Sequence, residues 1–450
     1  MSYAAAIEEL KAMAPELYTR PGAPRRKFSL AEIGVLLEQL GNPQQRFKSV
    51  LIAGTNGKGS TAATLSSILI ASGLRTGLYT SPHLERVNER IRVNDAEIAD
   101  QVFARHFFAV RAASEKLIAA GTLAQSPSFF EMLTAIGFLH FAEQGVEIGV
   151  LEVGMGGRLD ATNIVDPLVS VITDISLDHM EWLGSTIAAI THEKAGILRP
   201  RGVLVTLPQH PEANQALGEV AADLDVRGVS ATDYMPSIGT PTSGSYGVEV
   251  MGAQIEVDSP LTGAHQHRNI ALAIATAVEL AQHHGFAITP ASIERGIHAT
   301  RWPGRLERFR VGGVDWILDV AHNPAGAWAL RAGLREPFEG EFAAGPRTLV
   351  FSCLRDKPLG EMAQILFPVF DHVIFAPISS ARAASMADLK AAAEATGTPY
   401  QTAESVDVAL DLAGDGGDGG VVVISGSVYL VGEARHLLRD RVQSPVGKRR

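Results

Sequence analysis

Residues 51–61 read LIAGTNGKGST: a short apolar run breaks into a glycine-rich turn that carries one lysine, Lys58. The apolar run predicts a short strand, and the periodic segment after the turn predicts a helix. Backbone amides in such a turn converge on phosphate oxygens, and the N-terminal end of the helix adds a positive dipole. We therefore predict a phosphate-binding loop, with Lys58 at the outer phosphates and Ser60 or Thr61 on magnesium.

The turn departs from the usual spacing of phosphate loops. Gly59 intervenes between Lys58 and Ser60, and Gly54 lies only three residues before Gly57. A tight strand-to-helix turn without a ligand is the structural alternative. The strand before the turn and the helix after it supply the context that a phosphate loop needs, and they favour phosphate binding.

Composition limits the class of protein. A chain of 450 residues with 46% hydrophobic residues is long enough for two or three globular domains. Its net charge of −10 argues against a general nucleic-acid binder. The single cysteine, Cys353, excludes an internal disulfide and lies in an apolar run that predicts a buried thiol. No stretch reaches the roughly 18 uncharged apolar residues of a membrane span, so we expect a cytoplasmic protein.

Strand-like apolar runs alternate with helix-like periodic segments, which is the pattern of a parallel sheet with crossover helices. A region rich in Gly, Ser, Thr and Pro at 228–262 predicts a small antiparallel excursion, and HATRWPGR near 297–305 predicts a linker. We predict an α/β protein with a mostly parallel P-loop ATPase domain at 1–298 and a smaller Rossmann-like α/β domain at 299–450. The predicted strands are 50–53, 77–79, 148–152, 169–173 and 203–205, then 316–320, 348–353, 372–376 and 421–425.

The segment LEVGMGGRLDATN begins with a predicted strand that ends at Glu152. The carboxyl edge of a parallel sheet is where open α/β folds bind ligands. A carboxylate there is a natural second ligand for magnesium, which prefers oxygen donors. The flexible loop that follows carries Arg158 and Asp160. An ordinary ion pair between Glu152 and a nearby lysine is the structural alternative.

A second predicted strand ends in the same way, at ITDISLDHMEWLG, with Asp174, Asp178 and His179. A lone histidine is more often structural than functional, but its place at this edge makes His179 a candidate site residue. Lys194 lies at the end of a predicted helix, and its local sequence reads as that of a surface lysine. The sequence contains no HExxH motif and no paired cysteines, so nothing in it predicts zinc.

The second domain offers LDVAHNP, a strand followed by Asp319, His322 and Asn323, and GSVYLVGE, a glycine turn with a serine that opens a helix. Arg305 lies in PGR, at the predicted interdomain junction. A nucleotide held by Lys58 and reached by Arg305 and Asp319 would lie in a cleft. Closure of that cleft would exclude water from a reactive intermediate.

These segments together resemble the Mur ligase superfamily, and more closely the folylpolyglutamate synthase/dihydrofolate synthase family of the bifunctional bacterial type. The motifs occur in the family's order and cover residues from about 25 to 435. Each motif alone is weakly specific, whereas the ordered series is specific. The matching motifs are GTNGKGST, TSPHLERVNERI, LEVGMGGRLDATN, LDHMEWLG, EKAGI, HQHRN, PGR, LDVAHNP and GSVYLVGE.

The resemblance implies the Mur ligase architecture, with a C-terminal glutamate-ligase domain. It implies that ATP phosphorylates a pteroate or folate carboxylate, that the amine of L-glutamate attacks the acyl phosphate, and that a tetrahedral intermediate collapses to the amide, ADP and phosphate. Positioning, Lys58 and magnesium would stabilise the charge on the phosphoryl oxygens. The implied partners are dihydropteroate or a reduced folate and L-glutamate, in a monomer that binds neither nucleic acid nor membrane.

The resemblance also assigns roles to residues. Lys194 matches the lysine that this family carbamylates into a carboxylate-like metal ligand, which reverses its interpretation as a surface lysine. The implied catalytic residues are Lys58, His179 and Lys194. The implied ATP contacts are Gly54, Asn56, Gly57, Lys58, Gly59, Ser60, Thr61, Asn269, Arg305, Asp319 and His322. The implied ligands of two Mg²⁺ ions are Ser60, Ser81, Glu152, His179 and the carbamate of Lys194.

The loop GGRLDATN resembles that of bifunctional bacterial enzymes, which accept dihydropteroate as well as reduced folates. Ordinary core packing is the alternative for the apolar members of this site. Pro358, in DKP, departs from the family pattern and receives no role. The implied substrate residues are Phe28, Leu30, Phe130, Arg158, Leu159, Asp160 and Ala161 on the acceptor side, and His322 and Ser427 near glutamate.

Our leading hypothesis is an ATP-dependent ligase that makes dihydrofolate and extends folates with glutamate. The second is a ligase of the same superfamily with another acceptor, such as a cell-wall peptide precursor or a poly-glutamate chain. The third is a P-loop kinase or a regulatory nucleotide-binding protein. Glu152, His179 and Lys194 argue against the third, because a simple binder has no use for a two-metal site.

Overall fold

The computed structural model describes residues 2–13, 29–237, 239, 244–335, 338, 345–415 and 420–443. Its first large sheet has eight strands in the order β4-β3-β2-β5-β1-β6-β7-β8, in which only β3 runs antiparallel to its neighbours. The strands are β1 (Lys48–Ala53), β2 (Thr76–Tyr79), β3 (Ile91–Val93), β4 (Ala96–Glu97), β5 (Ile148–Glu152), β6 (Val169–Ile172), β7 (Val203–Thr206) and β8 (Arg227–Ser230).

Strand β1 lies in the middle of this sheet, between β5 and β6. All its residues except the first are buried, as expected for a parallel strand covered by helices on both faces. The strands β2 to β5, which follow β1 in the chain, lie on one side of it, and β6 to β8 lie on the other side. The carboxyl ends of β1, β5 and β6 therefore meet at a switch in strand order, where open α/β sheets bind ligands.

Helices cover both faces of the first sheet. The face that carries α3, α9 and α10 forms one apolar core, and the opposite face packs against α1, α2, α4, α5, α7 and α8. The helices are α1 (Tyr3–Met13), α2 (Leu30–Gln39), α3 (Lys58–Ala71), α4 (Asp100–Ala119), α5 (Phe129–Glu143), α6 (Met180–Leu183), α7 (Ile187–Ala195), α8 (Pro211–Asp223), α9 (Ala264–His283) and α10 (Pro290–Ala299).

The antiparallel excursion predicted within 228–262 is a hairpin of β9 (Tyr246–Val250) and β10 (Ala253–Val257). Its alternating buried residues join the core on the α9 side of the first sheet. The turn between the two strands contains Gly252, whose φ is +79°.

The second large sheet has the order β11-β12-β16-β13-β14-β15 and is parallel except for β11. It also has an apolar core on each face. Its strands are β11 (Glu307–Val311), β12 (Val314–Leu318), β13 (Arg347–Phe351), β14 (His372–Phe375), β15 (Tyr400–Thr402) and β16 (Val421–Ser425). Its described helices are α11 (Pro324–Gly333), α12 (Leu359–Leu366), α13 (Met386–Thr396), α14 (Val406–Gly414) and α15 (Val428–Gln443).

The predicted α/β class with two mostly parallel sheets is confirmed. The sequence pattern did not reveal the edge strands β4, β8, β11 and β15 or the three-residue strand β3, because their half-exposed or brief apolar pattern differs little from that of a loop. The boundary predicted between residues 298 and 299 falls at the last turn of α10 and stays a prediction. Among the described residues, none of the helices is both long and apolar enough to span a bilayer.

Candidate active site

The loop from Gly54 to Gly57, called here the glycine loop, joins β1 to α3. Gly57 is the residue before the helix and has a φ of +88°, a region that glycine enters without strain. A Cβ atom at Gly57 would also collide with the side-chain oxygen of Asn269, on α9. The loop therefore requires glycine both for its turn and for the close approach of Asn269, the predicted nucleotide contact.

Two lysines lie against the backbone of the glycine loop. The Nζ atom of Lys58 donates to the carbonyls of Gly54 and Thr55, at 3.2 and 3.1 Å. The Nζ atom of Lys194 donates to the same Gly54 carbonyl at 2.7 Å. This arrangement concentrates positive charge at the loop and favours an anionic ligand there.

Two hydroxyl groups in the first turn of α3 lack partners. Ser60 and Thr61 are buried, and their hydroxyl oxygens have no hydrogen-bond partner among the described residues. Buried polar atoms nearly always have a partner. The free oxygen of Ser60 therefore fits the predicted role of a magnesium ligand, because Mg²⁺ takes oxygen donors.

Glu152 ends β5 and pairs in register with Ile52 of β1, beside the glycine loop. Its carboxylate is buried and accepts a hydrogen bond from the backbone amide of Ser81 at 2.9 Å. Burial raises the pKa of Glu152, while the positive charge of Lys58 opposes that rise. A buried carboxylate beside a cationic loop is a suitable second oxygen ligand for Mg²⁺.

Lys194 is buried, not on the surface as its local sequence alone indicated. Burial, and next the charge of Lys58, lower its pKa to about 7. The loop after β5 packs on the end of α7 at Gly157. A Cβ atom at this position would lie 2.7 Å from the carbonyl oxygen of Lys194, so only glycine allows this contact. The amine is thus partly neutral near pH 7 and fixed against the glycine loop.

Asp178 connects the first sheet's edge to the second domain. Its side chain is only 9% exposed and accepts from the Nζ atom of Lys357 at 2.7 Å and from Nδ2 of Asn323 at 3.2 Å. Nε2 of His322 lies 3.8 Å from its carboxylate, and Nε2 of His179 lies 4.0 Å away. Burial alone would raise the pKa of Asp178, but His179, Lys357 and His322 hold it well below its usual value.

His179 adopts a left-handed backbone conformation, with φ of +51°, directly before α6. Desolvation first, opposed by Asp178, lowers the pKa of its ring to about 4. The imidazole is therefore neutral near pH 7 and keeps a lone pair that a metal ion can use. This state agrees with its predicted role at a second ion.

Asn323 joins the glycine loop to the second domain. Its Nδ2 atom donates to Oδ1 of Asn56 at 3.0 Å, across 267 residues of sequence. Its Oδ1 atom accepts from the backbone amide of Gly326 at 2.7 Å and so caps α11. One amide side chain therefore fixes the start of α11 beside the loop.

Asp319 and Arg305 lie together behind this junction. The Asp319 carboxylate accepts from the backbone amides of Leu306 and Ala321, at 3.0 and 2.9 Å. Burial raises the pKa of Asp319 and lowers that of Arg305, and each charge opposes the shift of the other. Arg305 is also close enough to Glu152 to interact with its charge. The predicted nucleotide residues of the second domain thus face the predicted metal ligand of the first.

His322 and Ser427 follow the neighbouring strands β12 and β16, which end at Leu318 and Ser425. The His322 ring contacts the carbonyl of Val320 through Nδ1 at 2.9 Å, and desolvation lowers its pKa to about 4. Ser427 is buried, and its hydroxyl accepts from the amide of Tyr429 at 3.2 Å. The structure therefore brings the two residues predicted near glutamate to one sheet edge.

The loop 154–162 is organised around Asp160. Its buried carboxylate accepts from the amides of Gly154 and Met155, at 2.9 and 3.0 Å, and from the amide of Thr162 at 3.0 Å. Phe130 packs on Gly154, where a Cβ atom would lie within 3 Å of its ring. Asp160 therefore holds the shape of the loop through its own hydrogen bonds.

The remaining acceptor-side residues differ in exposure. Arg158 points to the surface and pairs with Glu193 at 2.9 Å, and Leu159 is 36% exposed. Ala161 is buried, and Leu30 packs partly against the same core at the start of α2. Phe28 lies outside the described residues. The structure thus places Phe130 of α5 beside the loop that carries Asp160 and Ala161, and leaves Arg158 turned away.

Sequence reasoning missed the role of Lys357. The segment DKP was noted only for Pro358, yet the buried lysine beside it pairs with Asp178 across the domain junction. In the sequence, Lys357 is marked only as a charged residue in the segment that follows the buried strand β13. Nothing local could have identified a partner 179 residues away.

We expect Lys357→Met to weaken the junction between the two domains. The substitution leaves the buried Asp178 carboxylate without its ion-pair partner, which costs about 3 kcal/mol of unfolding free energy. Urea denaturation at neutral pH measures the loss. In the double variant Asp178→Asn/Lys357→Met, part of the stability should return. Additive losses in the double variant would contradict the pairing.

Comparisons with known proteins identify the class. Residues 52–277 match the model of the Mur ligase middle domain, and residues 304–428 match that of the Mur ligase glutamate ligase domain. The chain therefore has the middle and the glutamate-ligase domains of a Mur ligase. The chain is 35% identical over 416 residues to folylpolyglutamate synthase of Lacticaseibacillus casei, covering 90% of this chain and 92% of that one. It belongs to the folylpolyglutamate synthase/dihydrofolate synthase family.

Other relatives agree with this assignment. Dihydrofolate synthase/folylpolyglutamate synthase of Mycobacterium tuberculosis is 36% identical, over 91% of this chain and 90% of its own length. The structure of M. tuberculosis folylpolyglutamate synthase with ADP and AMPPCP superposes with a TM-score of 0.85, at 33% identity, covering 97% of this chain and 99% of that one. E. coli FolC with DHPP and ADP gives a TM-score of 0.81 at 27% identity, covering 98% and 99%. The family resemblance stated from the sequence is confirmed.

Proposed function

We propose that this protein is an ATP-dependent ligase that joins L-glutamate to dihydropteroate and adds further glutamate to reduced folates. The observation that carries the proposal is the junction at Asn323, which bonds both Asn56 of the glycine loop and Asp178 of the first sheet's edge. A phosphate-binding loop and a glutamate-ligase domain thereby share one site. The names of the relatives support the choice of folate and glutamate as substrates.

In the proposed reaction, the acceptor carboxylate attacks the γ-phosphorus of ATP, which gives an acyl phosphate and ADP. The amine of glutamate then attacks the acyl carbon, and the tetrahedral intermediate expels phosphate to leave the amide. Lys58 and the glycine-loop amides would stabilise charge on the phosphoryl oxygens. Asn56 and Asn323 would fix the two domains around the reacting groups.

The donor set around the glycine loop fits divalent cations. Ser60 and Glu152 would hold one Mg²⁺, with Ser81 close by, and His179 with carbamylated Lys194 would hold a second. Bound Mg²⁺ would neutralise charge on the transferred phosphoryl group. A lysine whose pKa is about 7 has a large neutral fraction at neutral pH, which is the form that adds CO₂ to give a carbamate and a proton. This supports the modification proposed for Lys194.

The acceptor is proposed to lie against the loop 154–162 and the start of α5. The E. coli relative whose structure holds DHPP and ADP has the same fold over 98% of this chain, which supports a pterin acceptor. His322 and Ser427, at the ends of adjacent strands, would contact glutamate. We propose a monomer, as the family resemblance implies, and the single buried cysteine is compatible with a cytoplasmic location.

The test is phosphate release from ATP with Mg²⁺ and L-glutamate, with dihydropteroate and tetrahydrofolate offered separately. Turnover with both acceptors is the expected result. Turnover with tetrahydrofolate alone would remove dihydrofolate synthesis from the proposal. No turnover with either would return the choice to another Mur-type ligase, while phosphate release without glutamate would favour a kinase.

We expect Asp160→Asn to impair the use of dihydropteroate. The amide of Asn has one accepting oxygen, and its nitrogen must face either the amides of Gly154 and Met155 or the amide of Thr162. It cannot accept their hydrogen bonds, so the loop loses its shape. The kcat/KM for dihydropteroate should fall about tenfold or more, a loss of at least about 1.4 kcal/mol. The KM for ATP should stay unchanged. A parallel rise in the KM for dihydropteroate and the KM for ATP would show a general loss of structure instead.

A further inference from the structure

Three potential metal ligands lie together between α4 and α5. His140 and Glu143 occupy the last turn of α5, and His106 faces them from α4. One ligand atom of each side chain lies within 4.8 Å of those of the other two. None of these residues has a part in the proposed ligase reaction.

Both imidazoles are buried and incompletely bonded. His106 is 7% exposed and His140 is 6% exposed. Nε2 of His106 and Nδ1 of His140 have no hydrogen-bond partner among the residues that the structure describes. A buried polar atom without a hydrogen-bond partner costs folding free energy. Two such nitrogen atoms in one cluster therefore point to a ligand that binds there.

The positions of the ligand atoms fit the binding of one ion by both side chains better than a hydrogen bond between His106 and Glu143. Nε2 of His106 lies 2.9 Å from Oε2 of Glu143, yet that nitrogen is not aligned for a hydrogen bond. Two ligands of one tetrahedral ion, each about 2.0–2.1 Å from it, lie about 3.3 Å apart and point at the ion instead of at each other. His140 and Glu143 stand three residues apart on one helix, the spacing with which helical proteins build carboxylate–histidine metal sites.

The protonation state of the rings suits a metal. Burial lowers the pKa of both histidines, that of His140 to about 4. Neutral imidazole offers a nitrogen lone pair, whereas the protonated ring does not. The cation paired with Glu143 is Arg105, which is largely exposed and lies 2.6 Å from its carboxylate.

We propose that His106, His140 and Glu143 bind a zinc ion that links α4 to α5. Two imidazoles and one carboxylate are a common ligand set for Zn²⁺ and leave a fourth position for water. Mg²⁺ takes oxygen ligands and keeps its own water, so the two nitrogens select against the ion proposed for the glycine loop. The absence of HExxH and paired cysteines hid this site, because its ligands come from two helices.

The test is isothermal titration of the full-length protein with ZnCl₂ in buffer that contains MgCl₂ and ADP, which occupy the other metal-binding groups. Wild type should bind one high-affinity Zn²⁺, and Glu143→Gln should weaken it about tenfold or more. Arg105→Gln is the matched control: it removes the same ion pair but no ligand, so zinc affinity should stay the same or rise. Equal effects of the two substitutions would mean that Glu143 serves only the ion pair and would overturn the proposal.

A second measurement addresses the histidines. Zn²⁺ should raise the melting temperature of wild type but not that of His140→Gln. His298→Gln, at the exposed contact between His298 and Asp258, should retain the full rise. Glu143 is partly exposed and its replacement should leave the fold intact, so the titration decides the matter even if His140→Gln does not fold. Wild type that binds no more zinc than Glu143→Gln would also overturn the proposal.

Discussion

Lys58→Ala should reduce turnover by roughly 10²–10³-fold or more, the range found when one stabilising donor is removed from a reaction that develops charge. Lys58 is the first residue of α3, and its amine lies over the glycine loop. In phosphoryl transfer the protein acts mainly by positioning and by neutralising charge on the phosphoryl oxygens. Losing this amine removes stabilisation that no other described group on α3 can replace with a positive charge.

The same substitution should leave the fold intact. The amine's two bonds to loop carbonyls contribute only about 1 kcal/mol each to stability. Thermal unfolding should therefore change little while phosphate release collapses. Lys48→Ala, at the exposed first residue of β1, is the control and should stay fully active. An active Lys58→Ala enzyme would mean that the glycine loop does not hold the reacting phosphates.

Lys194→Ala should also lower activity severely, by about 10²-fold. The substitution deletes the negatively charged ligand that the proposed carbamate of Lys194 supplies beside the glycine loop. A short carboxylate such as acetate, or bicarbonate with a small amine, should restore part of the activity. The measurement is phosphate release at fixed ATP and Mg²⁺ with increasing acetate.

A further variant and a control distinguish a carbamate on Lys194 from a role as a positive charge. Lys194→Arg keeps the charge but cannot be carbamylated, so it should be as impaired as Lys194→Ala. Because the larger side chain fills the buried site, acetate should not restore its activity. Lys116→Ala, in the last turn of α4 and exposed, is the control for loss of a helix-end lysine and should behave like wild type. Full activity in Lys194→Arg would contradict the carbamate and leave Lys194 as a cation only.

Much of the site was predictable because local patterns mark the ends of buried strands. Glu152 follows four buried residues of β5, and Asp319 follows the buried end of β12. In parallel sheets such ends gather at one edge, so polar residues there are expected to meet. The glycine loop was predictable for the same reason, since its glycines are needed between a buried strand and a helix.

The sequence alone determined the α/β class, the order of the main strands and helices, the family, and which strand ends carry polar side chains. Only the tertiary structure decided that Lys194 is buried, that Lys357 neutralises Asp178, and that His106 meets His140. Hydrophobic periodicity records which face of an element is covered, because that pattern is local. It does not record which distant element covers it, because partner choice depends on how whole sheets and helices pack.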